Sequence, residues 1–128
     1  MFFMKKKLLI VWLLVVLLMP LSAQIPNQII QSLKKGDVNA FSRFLGEDVT
    51  LIIGKESSEL KKEEAKLKIN DFFIQNKVLD FEMKHQGDRN NSAYVIGTLI
   101  TSNGEFRLNC FFKKVNENLF IDRIRIEK

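Results

Sequence analysis

His85, Cys110, Tyr94, Arg107 and Asp71 are the residues of this chain whose types could carry chemistry, and the chain has only one histidine, one cysteine and one tyrosine. His85 is the sole side chain whose ordinary pKa lies near neutrality, so a general base working at pH 7 would start there. Arg107 could grip a carboxylate through two parallel hydrogen bonds, Tyr94 could donate one, and Asp71 sits beside an apolar helical stripe. These four form the candidate ligand-binding set. Each has a plainer reading: His85 as a core or edge residue beside Phe81 and Met83, Arg107 in a cross-strand salt bridge, Asp71 as an exposed helix residue. Cys110 alternates with Phe106, Leu108 and Phe112, which marks a small buried hydrophobe rather than a reactive thiolate. One His and one Cys on separate strands do not make a zinc site without two further carboxylates, so no metal is expected. No glycine-rich phosphate loop or dinucleotide fingerprint occurs, and no cofactor is expected.

The elements that must position these residues begin after an export signal. Lys5, Lys6 and Lys7 precede an apolar run of 12 residues, 8–19, and Leu21, Ser22 and Ala23 place small residues before Gln24. This is the layout of a cleavable secretory signal, and the run is shorter than the roughly 20 residues of a membrane span. The expected organisation is a signal peptide over residues 1–23 and one domain over residues 24–128, periplasmic or secreted, with no membrane span after cleavage. The chain has 20 basic and 15 acidic residues, and the three lysines of the signal leave the mature domain at +2. So small a charge does not argue for nucleic acid. A lone cysteine cannot form an internal disulfide, so the exported domain depends on its core.

Within residues 24–128, Pro26 followed by Ile29, Ile30 and Leu33 predicts a first helix stopped by Gly36. Asp37 then caps a second, with Val38, Phe41, Phe44 and Leu45 as its stripe and Gly46 at its end. Residues 49–53 predict a strand. Residues 55–60 are a turn or a short edge strand. Ala65, Ile69, Phe72 and Phe73 share one face of a helix over about 61–76. Four strands follow, and Asn103-Gly104 predicts a type I′ hairpin turn. The order α-α-β-(β)-α-β-β-β-β makes an α+β domain with helices on one face of a curved antiparallel sheet.

This order resembles the nuclear transport factor 2-like fold, a cone of helices against a curved sheet. Lys35-Gly36-Asp37, Phe72-Phe73, His85-x-Gly87, Tyr94-x-Ile96-Gly97, Gly104-x-Phe106-Arg107 and Ile124-Arg125-Ile126-Glu127 follow in order. As a set they resemble a family of small exported bacterial proteins labelled domain of unknown function 4783. The family implies a fold and supplies no activity. The chain departs from it at Lys61 and Lys62, where a Ser cap is expected, and Ser57 and Ser58 lie nearby. Enzymes of the resembling fold, such as ketosteroid isomerase, place an Asp base and hydroxyl donors inside the cone. One Tyr and one His cannot assemble that donor set in full.

The mature chain also carries nine Phe, many on faces that should meet inside the cone, and a cone filled by Phe leaves little room for substrate. Val95, Leu99, Phe111 and Ile121 are expected on the outer sheet face as an apolar patch, the sort of surface that marks a partner site, here a homodimer through the sheet. The function expected first is a non-catalytic binding or protein-interaction module of the cell envelope. A binder of a small apolar ligand comes second, and a hydrolase or isomerase using the cone third. Intact-mass measurement of protein from the envelope fraction tests the export reading: the expected mass is that of residues 24–128, and a mass retaining residues 1–23 counts against it.

Overall fold

The computed structural model describes residues 25–128; the export segment over residues 1–23 lies outside the described residues. The elements are α1 (Asn27–Lys35), α2 (Val38–Ser42), β1 (Leu45–Ile53), β2 (Glu56–Lys61), α3 (Lys62–Gln75), β3 (Val78–Arg89), β4 (Ser92–Thr101), β5 (Gly104–Val115) and β6 (Asn118–Glu127). The expected order is the observed one, and the segment left between turn and strand forms β2.

The joint between α1 and α2 follows from two residues. Gly36 takes a left-handed conformation at φ 66 and ends α1, with the Asp37 N–H donating to the Ser32 carbonyl at 2.9 Å. Asp37 then accepts a hydrogen bond from the Ala40 N–H at 3.1 Å and starts α2. A Cβ on Gly36 would lie 2.9 Å from Val78 Cβ, so the small residue also lets α1 close onto β3. Helix α2 ends at Ser42 rather than at Gly46, because Leu45 and Gly46 are already in β1. No serine caps α3: Ser57 and Ser58 are in β2, and Glu63 and Glu64 supply the negative charge that its first turn favours.

The six strands lie in the order β2-β1-β6-β5-β4-β3. All neighbours are antiparallel except β1 and β6, which run parallel. One face of the sheet meets the helices. There Ile29, Leu33, Phe41, Ala65, Ile69, Phe72 and Phe73 pack against Val95, Leu99, Leu108, Cys110, Phe112, Ile121, Ile124 and Ile126 in a single buried cluster.

This reverses part of the expected facing. Val95, Leu99 and Ile121 are each 0% exposed and form the core, so they cannot line a dimer face. Of the four residues expected there, only Phe111 lies on the outer side, half-buried, since its neighbours Cys110 and Phe112 point inward. Tyr94 and Ile96, which an outward Val95 would have turned inside, alternate with the inward Ala93, Val95 and Gly97 and therefore face out. Alternation is strict along a strand, so one misplaced residue reverses them all.

Two aromatic side chains lie across glycines of the β3–β4 pair, on opposite faces. On the core side Phe81 covers Gly97, where a Cβ would come within 2.5 Å of the Phe81 ring and 2.4 Å of the Glu82 carbonyl oxygen. On the outer side Tyr94 covers its cross-strand partner Gly87, where a Cβ would be 2.8 Å from the ring. The type I′ geometry falls at Asn116-Glu117, with φ 50 and 69, and not at Asn103-Gly104. Thr101 pairs with Gly104, which makes Ser102-Asn103 the two-residue loop. The Asn103 side chain is occupied elsewhere: its Nδ2 donates to the Gln75 carbonyl at 2.8 Å and ties this loop to the end of α3.

Two outcomes are expected from this packing. Gly97→Ala forces Phe81 or the β3 backbone to move and lowers stability by about 3 kcal/mol in urea unfolding; a change below about 0.5 kcal/mol would show that the ring has room to yield. Cys110 is fully buried, and this burial pushes its thiol far above the ordinary range, with the charge of Asp122 adding to the shift. The folded state keeps the proton that the unfolded chain loses near pH 9. This contribution is therefore complete below pH 9 and declines as pH rises above it. Cys110→Ala flattens that alkaline decline, as unfolding curves at neutral and alkaline pH would show, and the native thiol resists labelling until the chain unfolds.

Candidate functional site

The core side of the sheet is filled largely by its own side chains. Phe41, Phe81 and Phe112 are at most 1% exposed, and Phe106 meets Phe72 edge to face with centroids 5.2 Å apart. The candidate ligand residues lie on the other face. A register shift between Met83 and His85 inserts one extra residue into β3. Phe81 pairs with Leu99 and Met83 with Gly97, both on the core side, but His85 pairs with Ile96. The bulge thus separates His85 from Phe81 and Met83 and turns it outward.

Register then assembles the outer face strand by strand. Tyr94 pairs with Phe111, Ile96 with Asn109 and Thr98 with Arg107. Across the next ladder Phe111 pairs with Arg123, Asn109 with Arg125 and Arg107 with Glu127. Ile52 of β1 follows beside Arg125. His85, Tyr94 and Arg107 therefore share a surface on the side away from the helices, outside the cone in which a ligand site was expected. Asp71 is exposed on α3 and does not join them. A shallow open depression of about 400 Å³ is lined by Lys84, His85, Ile96, Thr98, Glu105 and Arg107. Lys84 Nζ is 3.1 Å from Glu82 Oε2 and partly neutralised there.

Sequence reasoning missed three members of this face. Asn109 stands at its centre, and its Oδ1 is shut off from water with no hydrogen-bond donor. An acceptor left in that state costs about 1–3 kcal/mol. Arg123 and Arg125 project from β6 in alternation with the buried Ile124 and Ile126. Arg125 Nε lies 3.4 Å from Glu127 Oε2. No salt bridge holds Arg107 or Arg123 among the described residues. The alternation Arg123-x-Arg125-x-Glu127 against Ile124 and Ile126 was the available signal. It needed the facing of β6 to be known.

A second hollow of about 1080 Å³ opens at the end of the sheet, where β1 parts from β6 around Gly46, Glu47 and Asp48. Leu45, Leu60, Phe120, Lys62, Lys113, Glu64 and Asp122 also border it. Its charges are mixed and partly spent on each other. Asp48 accepts a 2.6 Å hydrogen bond from Lys61 Nζ, which raises the Lys61 pKa, though both groups are exposed and such a pair adds little stability. Among the described residues, no three His, Cys, Asp or Glu side chains gather as metal ligands.

Known proteins bear on the fold and on the family. The family model described as domain of unknown function (DUF4783) matches residues 26–127. A DUF4783 family protein from Bacteroides ovatus ATCC 8483 is 41% identical, with a TM-score of 0.81 over 84% of this chain and 97% of that one. A DUF4783 family protein from Bacteroides fragilis YCH46 is also 41% identical, with a TM-score of 0.79 over 82% of this chain and 99% of that one. An NTF-2 like protein of unknown function from Shewanella oneidensis MR-1, at 14% identity and a TM-score of 0.61 over 80% of this chain and 92% of that one, shares the fold alone. No protein of curated function matches. The helices on one face of a curved, unclosed six-stranded sheet are the nuclear transport factor 2-like architecture, and with 102 residues matched the chain belongs to the DUF4783 family.

Proposed function

We propose that the mature domain is a non-catalytic interaction module of the cell envelope, exported by residues 1–23, and that it works through the outer face of its sheet. The observation that carries this reading is the packed interior. With Phe41, Phe81 and Phe112 at most 1% exposed, the helix-covered side holds side chains where a catalytic cone would hold substrate. The outer face carries half-buried Ile52, Tyr94, Ile96 and Phe111, with no helix across them among the described residues. Apolar residues grouped with arginine and tyrosine are the composition of a partner surface. A second copy packed sheet to sheet competes for the same face, and Phe111 would belong to either interface.

Site-specific photocrosslinking in cells making the full chain tests this. A benzoylphenylalanine at Thr98, on the outer face, is expected to give a discrete adduct. The same probe at Ile74, which is 71% exposed on α3, is expected to give none. Adducts from Ile74 alone, or none from Thr98, would place the working surface elsewhere. An adduct of twice the chain's mass would identify a homodimer.

A further inference from the structure

We propose that the outer sheet face binds an extended acidic segment of a partner protein, with carboxylates of that segment on Arg107 and Arg123. This rests on the reading of that face as the working surface. Arg107 pairs with Glu127 across the β5–β6 ladder, Asn109 with Arg125 and Phe111 with Arg123. Arg107 and Arg123, neither in a salt bridge among the described residues, are thus four residues apart along the ladder, about 13 Å at the rise of a strand. A chain lying extended along β5 and β6 presents side chains toward the sheet at every second residue, so positions i and i+4 match this spacing. Arg125, between them, is already turned toward Glu127 at 3.4 Å.

The centre of the face, around Asn109 midway between the two arginines, adds a second requirement. The half-buried Ile52 and Ile96 border the same line, each beside Arg125 or Asn109 in the ladders. They need apolar neighbours, which a peptide provides and an acidic glycan does not. A second copy centred on Asn109 would bring Arg107, Arg123 and Arg125 against themselves, an arrangement that like-charge repulsion disfavours. Of the nearby anions, Glu82 is paired with Lys84 at 3.1 Å and Glu127 with Arg125, while Glu105 lines the same depression as Arg107, on its side away from Asn109.

Selection of random displayed peptides of about twelve residues on mature protein from the envelope fraction tests the proposal. Enriched peptides are expected to carry acidic residues four apart. Their binding should weaken with salt and fall roughly ten-fold or more in the double variant Arg107→Glu, Arg123→Glu. The milder pair Arg107→Gln, Arg123→Gln should weaken it in the same direction, and both variants should keep the parent's denaturation midpoint, since these side chains are exposed. Enrichment without acidic residues, no enrichment, or binding indifferent to charge reversal overturns the proposal. Binding of polygalacturonate in place of peptides assigns the face to an acidic glycan and overturns it as well, as does a homodimer that covers Asn109. The two readings fail separately. A Thr98 adduct together with neutral selected peptides removes the acidic partner and keeps the working surface, whereas no Thr98 adduct removes both.

Discussion

Strand β4 sends Ala93, Val95, Gly97, Leu99 and Thr101 into the core and the residues between them to the other side, and every strand beside it inherits this facing through the hydrogen-bonded ladder. Leu108 and Phe112 face the helices because they pair with Gly97 and Ala93. Ile124 and Ile126 do so because they pair with Cys110 and Leu108. Burying these side chains together is worth roughly 1.5–3 kcal/mol for each large one. A chain with one thiol has no internal disulfide to add, so this single cluster holds the fold.

Irregularities in the ladder then set what the facing alone would not. The extra residue of β3 before His85 turns that residue outward while Phe81 stays in the core. A shift between Phe111 and Phe112 lets both Ile121 and Ile124 of β6 point inward, although they are three residues apart. The parting of β1 from β6 between Leu45 and Thr50 opens the hollow at the sheet end. The two aromatic–glycine contacts hold β3 to β4 from both sides, Phe81 over Gly97 within and Tyr94 over Gly87 without. A glycine in a strand interior weakens it unless something packs there, and these rings fill that place.

The same packing moves the chemistry. Phe side chains fill much of the interior of this nuclear transport factor 2-like cone, and His85, Tyr94, Arg107 and Asn109 are left on the sheet's far side. Asn109 bears a cost of that surface, since its oxygen is secluded at the centre of the face without a donor. An exposed arginine needs no partner to be stable in water. A secluded acceptor does, and for this reason Asn109 marks the middle of the face more sharply than the arginines around it.

The amino-acid sequence by itself determined the elements and their order. Helical spacing in residues 65–73, the Gly36-Asp37 joint and the alternating strands are local patterns, set by the periods of helix and strand and by the conformations that glycine and aspartate allow. It also carries, in order, the motifs that place the chain in one family. Only the tertiary structure decided which way each strand faces. Val95 and Tyr94 are both plausible core residues, and the choice depends on which side the helices cover and on bulges that shift parity by one residue. No local pattern encodes that choice, because a strand with apolar residues on both sides reads the same from either face. Asn109, Arg123 and Arg125 became a site by the same route, once the ladders had brought three distant stretches of chain onto one surface.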